Sequence, residues 1–598
     1  MKRPITETMY APGDRTDSVR PGNNYSTRPN LTQLPDYSLV EIDVEPPDTN
    51  AGVVILGGGL AGCALAIQLQ QSIPDVEVSI LEKRSLPFPD AAHKVGESTV
   101  EVGAHYFTSV LDLSHQLRTC KLEKLGLRYF FNNGQNAPIS ERLELGQVYY
   151  PAIPSYNFDR GRMENLLVHE CVLREIDYLS GCRVKSIDLD KDGHTVTYGR
   201  DGKTQTIRAR WVVDASGRAG ILKRKLGCQE GNDHQVNSAW FRIDEPIEID
   251  ALSDDPGWQR RVPHRMRKFS TNHMMGRGYW VWFIPLVSGS ISIGIVADAE
   301  IHPIDQINRF EKAMAWLHRH EPQCARLIER HEDKLLDFHC LKDFSYGCKQ
   351  VFSSDRWALT GEAGLFVDPF YSPGSDFIAI SNGHITALIE KDLRGAPIDE
   401  LARFYDQLYL GLYRAFMPLF QDQYRLMGNP LVMTFKTIWD FAIYWGTTAL
   451  LYFHQKLHDQ SFMQSIYPHL LGVFQINRTV QSFFREWDEV DSGAWCPGVF
   501  IDMQSVTFLL AWQTRLGGNL SDEDLKASID ENRQVLERLV LWMYGWATGN
   551  ESAPQIDPYD FKLGSGGHKG PGPKEVAGLT ADLNRYLEAG SATPVVTG

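Results

Sequence analysis

The chain has no CxxC pair, and its nine cysteines are scattered over 598 residues. Paired-cysteine zinc ligation is therefore not expected, no metal is predicted, and an odd cysteine count argues against a disulfide framework. A reducing, cytoplasmic setting fits. Positive charge is also scarce: 60 Lys and Arg face 75 Asp and Glu, a net −15. A general nucleic-acid role, which needs cations to neutralise phosphates, is excluded on that ground. Long apolar runs are missing too. The greasiest stretch, FAIYWGTTALLYF at 441–453, falls short of the ~20 residues of a spanning helix. It reads as a buried helix, and no membrane span is expected. The N-terminal MKRPITETMYAPGD has basic residues but no apolar core behind them, so it does not read as a secretory signal. There are no internal repeats.

The chain is too long for one compact core, so two or three structural units are expected. Residues 1–49, rich in proline and polar residues, read as a loose arm. Residues 50–384 read as an α/β nucleotide-binding domain with a β-sheet insertion. Short alternating segments (RVKSIDL, HTVTYG, TQTIRARWVVDA) with DG turns predict an antiparallel meander over about 183–213. GYWVWFIPL and SISIGIVAD flank a second turn. Residues 385–550 read as a helical domain. Within it SDEDLKASIDENRQVLERL opens on a capping-box pattern, Ser521 with Asp524. Residues 551–598 read as a Gly- and Pro-rich tail, including GSGGHKG at 564–570.

VVILGGGLAG places Gly57, Gly59 and Gly62 in GxGxxG spacing between an apolar strand and a helical pattern. The glycines, with Ala61 among them, allow a tight turn and close approach of backbone to a pyrophosphate. VEVSILEK ends a second strand at Glu82, suited to ribose hydroxyls. WVVDASG, with Asp214, and LTGEAGLFVDP, with Gly361, Glu362 and Asp368, repeat a strand–acid–glycine turn far along the chain. A ligand lying across the whole domain, FAD more than NAD, suits that recurrence. No second dinucleotide fingerprint is visible, so reduced flavin is expected from a separate flavin reductase.

Together GGGLAG, Glu82, DRGR (159–162), DASG and GEAGLFVDP resemble the FAD-dependent monooxygenase superfamily, with its glutathione-reductase-type, Rossmann-like flavin fold. Within it, WVWFIP at 280–285 resembles the WxWxIP motif of flavin-dependent halogenases, VGEST (95–99) a further family stretch, and DPFYSPG (368–374) a halide-binding segment. The resemblance covers about 50–380. It implies FAD used as FADH2, with O2 and chloride or bromide, and attack of HOCl or HOBr on an electron-rich aromatic of specialised metabolism. It makes Glu97, Ser98 and Arg160 cofactor-binding and Ser372, Pro373 and Gly374 halide-binding. Trp280, Trp282, Ile284 and Pro285 become a wall between flavin and substrate. It also asks for a lysine some thirty residues after the GE pair. CKLEKLGLRYFF offers Lys124, in an alternation that predicts a strand, with Lys121 the nearest rival.

Departures point to a branch. Tyr371 stands where tryptophan-type halogenases carry a glutamate, and Pro373 removes one backbone N–H. Glu362 replaces the usual aspartate. A phenol or pyrrole fits better than free tryptophan, and the aromatic-rich helical block suggests a larger or carrier-protein-bound substrate. His105, His273 and Glu97 are candidate bases. The rival reading is a halogenase-like flavin monooxygenase, or a geranylgeranyl-reductase-like oxidoreductase, acting on a hydrophobic substrate.

Overall fold

The apolar run leading into the glycine cluster forms the middle of a parallel sheet. In the computed structural model, which describes residues 50–89, 96–132, 134, 136–491, 497–549, 556–563 and 573–590, strand Asn50–Leu56 lies between Lys203–Asp214 and Val78–Leu81, parallel to both. Trp357–Leu359 and Asp177–Leu179 extend the sheet on either side. Both faces are covered, which is why VVIL and VSIL read as continuous apolar runs instead of alternating ones. Leu56, Leu81 and Asp214 all end at one edge, where open α/β sheets bind ligands. Strands Arg183–Asp188 and His194–Arg200 continue from Lys203–Asp214 as the antiparallel meander read from the sequence. The N-terminal arm and the GSGGHKG string lie outside the described residues.

A second sheet also has eight strands. Tyr279–Pro285 sits inside it, antiparallel to both Ile291–Asp298 and Thr271–Gly276. Alternation along the strand divides its side chains. Tyr279, Val281 and Phe283 join a core with Phe241, Ile293 and Trp316, backed by helices Phe310–His320 and Pro322–Glu329. Trp280, Trp282 and Ile284 take the opposite face with Met275 and Phe370. Gly294 is directly opposite Trp282. A Cβ there would lie 2.2 Å from the indole, so glycine is what lets the ring lie across its neighbour strand.

Helices Asp399–Phe416, Pro430–Ile443, Gln460–Val490, Thr507–Arg515 and Asp522–Thr548 form the C-terminal block. Ser521 caps the last of these, accepting from the Asp524 amide at 3.1 Å. Among the described residues, no helix is long and apolar enough to cross a membrane. The greasy 441–453 run is interrupted by a π-helical turn, Tyr444–Thr448, before Ala449–Phe453 resumes the α form. Such turns cluster at functional sites.

One buried ionic cluster joins the sheet to its flanking loops. Glu144 accepts from Arg128 Nη1 at 2.7 Å and from Arg267 Nε and Nη2 at 2.8 and 3.0 Å. Arg267 also pairs with Asp250 at 3.0 Å, and all four side chains are fully buried. Arg128 further donates to the Gln147 carbonyl and, at 3.3 Å, to Ser270 Oγ, which itself donates to the Leu125 carbonyl at 3.0 Å. Removing one partner of such a group strands the others without water or counter-charge. Glu144→Ala should therefore cost about 3–5 kcal/mol of stability, read as a shift in the denaturant midpoint.

Candidate active site

Three clefts run in series from the carboxyl edge of the parallel sheet. The first is lined by Gly57, Gly59, Ala61, Glu82, Arg160, Gly361 and Glu362. Gly57 has φ +110°, and a Cβ on it would come within 2.5 Å of the Ala215 carbonyl. On Gly62 it would lie 2.0 Å from the Gly57 carbonyl. Helix Leu60–Ser72 begins here with no side-chain cap and no acid in its first turn. Its amide dipoles are left for an anion, as a pyrophosphate requires. Glu82 accepts from the Gly58 amide at 2.8 Å and from Arg84 Nε at 2.9 Å. Burial pushes its carboxyl up, but Arg84 and the two amides outweigh this and hold it below the ordinary range. Asp214, expected to touch the cofactor, does not line the cleft. It is fully buried and accepts from the Ser216 and Leu222 amides at 2.9 and 2.7 Å, shaping the Ala215–Gly217 turn that does line it. The glycine cradle, uncapped helix and ionised Glu82 fit the ADP half of FAD.

The second cleft shares Arg160, Gly361 and Glu362 with the first and continues past Glu97, Ser98, His273, Trp280, Trp282, Ile284, Asp368 and Ser372–Gly374. Arg160 donates to the Gly96 carbonyl at 2.9 Å. Glu97 is held by Arg242 Nε at 2.8 Å. The two indoles stand 5.6 Å apart, centroid to centroid. Trp280 Nε1 donates to Tyr424 Oη at 3.0 Å, Tyr424 donates to Asp368 at 2.8 Å, and His234 Nε2 meets the same Asp368 oxygen at 2.6 Å. Trp282 Nε1 donates to Ser292 Oγ at 3.2 Å. Both rings are thus pinned. Pro285 ends the strand and does not line the cleft. His273 is buried against Tyr129 and the Arg128 carbonyl, and burial drives it down to about 3, so it is neutral near pH 7. His105 stacks on Phe453 at 4.3 Å and lines neither this cleft nor the next.

Pro373 lines both the second cleft and the third. Before it, Tyr371 and Ser372 have φ of +67° and +58°. Two consecutive non-glycine residues in the left-handed region are strained, and this turn sets up helix Gly374–Leu393, whose N-terminus no side chain caps. The third cleft contains Lys124. The expected strand is broken there: Lys121–Glu123 and Leu127–Phe131 are separate, and Gly126 between them has φ +64°. That break turns Lys124 inward. It is 1% exposed and donates to Ser98 Oγ at 3.1 Å and to the Thr99 carbonyl. Burial lowers its ammonium to about 8, against the pull of Glu101 and Asp376. Lys121 lies over the Tyr156 ring at 4.2 Å and does not line the cleft.

The same cleft holds residues that the sequence reading passed over: Gln147, Asp376, Asp440, Tyr444 and Trp445. Asp440 receives Tyr371 Oη at 2.8 Å, so a carboxylate stands behind the tyrosine that replaces the glutamate. It also receives Lys436 at 2.8 Å and Gln481 at 2.8 Å. A lysine and an aspartate four apart in an otherwise apolar helix, FKTIWDF, were the available signal. Gln147 Oε1 and Trp445 Nε1 are buried without a hydrogen-bond partner. Among the described residues no group of His, Cys, Asp and Glu could hold a metal.

The FAD binding domain family matches residues 50–260. The flavin-dependent halogenase chlA of Dictyostelium discoideum is 28% identical over 66% of this chain and 69% of its own length. A 1H-pyrrole-2-carbonyl-[peptidyl-carrier protein] chlorinase of Pseudomonas fluorescens is 24% identical over 57% of this chain and 75% of its own. Among solved structures, the halogenase PltM in complex with phloroglucinol and FAD superposes with a TM-score of 0.58 at 16% identity, covering 83% of this chain and 98% of that one. With the glycine cradle and the tryptophan strand in place, these likenesses show an FAD-binding domain in a chain that resembles the flavin-dependent halogenases.

Proposed function

We propose that the chain chlorinates or brominates a small, electron-rich phenol, using Lys124 to hold hypohalous acid in the third cleft. The observation that carries this reading is a buried ammonium in a cavity that meets the flavin cleft at Pro373. Bound as FADH2, the cofactor supplies the reducing equivalents by which O2 and halide become hypohalous acid. Gly57, Gly59, Ala61, Glu82 and Arg160 would hold it, with Gly62 letting the helix pack against the Gly57 turn and Glu97, Ser98, Gly361, Glu362 and Asp368 along the flavin end. Trp280, Trp282 and Ile284 form a pinned wall that keeps an organic substrate from the flavin. Ser372, Pro373 and Gly374 present halide with the uncapped start of helix Gly374–Leu393. Lys124, as ammonium, donates a hydrogen bond to hypohalous oxygen and makes the halogen more electrophilic.

A phenol is favoured by the two unpartnered atoms. Gln147 Oε1 needs a donor and Trp445 Nε1 needs an acceptor, and a hydroxyl offers both. A pyrrole N–H offers only the first. The PltM complex with phloroglucinol supports a phenol of that size, and the pyrrole-carrier-protein relative supports delivery on a carrier protein. FADH2 comes from a separate reductase, since the sequence has a single dinucleotide fingerprint.

The test is turnover with FADH2, O2 and bromide on phloroglucinol, resorcinol and pyrrole-2-carboxamide, read by mass. Halide-dependent bromination of a phenol is expected; oxygen incorporation indifferent to halide would sink the reading. Lys124→Ala should lower halogenation at least about 100-fold while FAD affinity and FADH2 oxidation persist. Because the ammonium is the working form and burial brings it to about 8, halogenation should fall as pH rises through 8, with FAD affinity unaffected. Gly62→Ala should abolish FAD binding in a fluorescence titration, since its Cβ has no room.

A further inference from the structure

The third cleft holds a second titratable group that the reading above leaves unused. Asp376 sits in the first turn of helix Gly374–Leu393, 3% exposed, and lines the cavity with Lys124. Its Oδ1 accepts from the Gly103 amide at 2.8 Å and its Oδ2 from Tyr444 Oη at 2.7 Å. Each oxygen therefore keeps a lone pair, and neither is tied to a cation at salt-bridge distance. Of the other acids in the cleft, Asp440 is paired with a cation. It takes three donors, one of them the Lys436 ammonium. Glu101 is held by Gln513 Nε2 at 2.8 Å.

We propose that Asp376 is the base that takes the hydroxyl proton of the phenol, and that it hands this proton to Lys124. The inference rests on the assignment of Lys124 above. As the ring carbon attacks the halogen, the halogen–oxygen bond breaks and its electron pair leaves with the hydroxide. That hydroxide takes a proton from the Lys124 ammonium and becomes water. The phenol O–H proton goes to the Asp376 carboxylate, which returns it to the Lys124 amine. The neutral dienone then shifts its ring hydrogen to oxygen, so a C–H bond and hypohalous acid have become a C–halogen bond and water.

The electrostatics suit the hand-over. Burial pushes Asp376 up to about 7, with Glu101 adding to the rise; Tyr444, the Gly103 amide and Lys124 oppose it. Tyr452 also faces it. Burial lowers Lys124 to about 8, so the acid and the amine lie in one pH range.

The deciding experiment is an infrared pH titration of the FAD-loaded enzyme. A protonated-carboxyl band should appear below a midpoint near 7, vanish in Asp376→Asn, and move to higher pH in Lys124→Met and in Tyr444→Phe, each of which removes a group that favours the carboxylate. In turnover, Asp376→Asn should lose about 100-fold on the phenol that the panel identifies. The loss should shrink on ring-substituted phenols with a pKa below 7, which arrive already ionised, a rescue that a folding defect would not show. A midpoint near 4, or a loss equal for acidic and ordinary phenols, overturns the proposal. Halogenation retained by Lys124→Met removes the premise instead, and the infrared result tells that failure from this one.

Discussion

The site depends first on a carboxylate that contacts neither cofactor cleft. Glu144 gathers Arg128 and Arg267 in a fully buried cluster, and through them fixes the Leu125 and Gln147 carbonyls. Those two atoms bracket the Lys124–Gly126 loop and the wall that faces it. A hydrophobic cluster of the same volume would stabilise the sheet at least as well. It would not fix direction, because dispersion contacts have none. Guanidinium forks do, since each N–H must meet its acceptor at about 2.9 Å. A lysine that must stay buried with an ammonium near neutrality needs such a frame, because its own desolvation works against the inward pose.

The tryptophan strand solves a related problem. Large aromatic rings exclude a substrate only if they cannot swing aside. Here each indole N–H is anchored, one through Tyr424 to Asp368 and one to Ser292, and Gly294 leaves room beneath Trp282. Asp368 belongs to the same DPFYSPG segment whose strained turn leads into helix Gly374–Leu393. Wall and helix start are therefore positioned by one loop, and a shift in either is transmitted to the other.

Much of this was legible in the sequence because it follows local rules. GxGxxG between a strand and a helix, period-two alternation in YWVWFIP and the Ser521 cap depend on near neighbours alone. The parallel strands announced themselves as unbroken apolar runs. What could not be read depends on distance along the chain. Asp376 and Lys124 line one cleft, and Gly126 breaks there a strand that the pattern predicted as continuous. Tyr444 and Trp445 reach the cleft because a π turn shifts their phase in a helix that composition alone marks as core. Asp214 satisfied the pattern of a ligand-binding acid, yet its lone pairs go to the turn's own amides.

The replacement of a glutamate by Tyr371 then has a physical account. On the proposed reading, a phenol would bring its own hydroxyl into the cavity that Tyr371, Asp376 and Lys124 line together. Tyr371 itself closes against Asp440, whose charge Lys436 balances. That acid is thereby a structural anchor, with its oxygens taken by Tyr371, Lys436 and Gln481. Asp376, with only an amide and a tyrosine hydroxyl bound, is left as the basic one. Two of the three carboxylates in this cleft, Asp376 and Asp440, are thus set apart by what else each is bonded to.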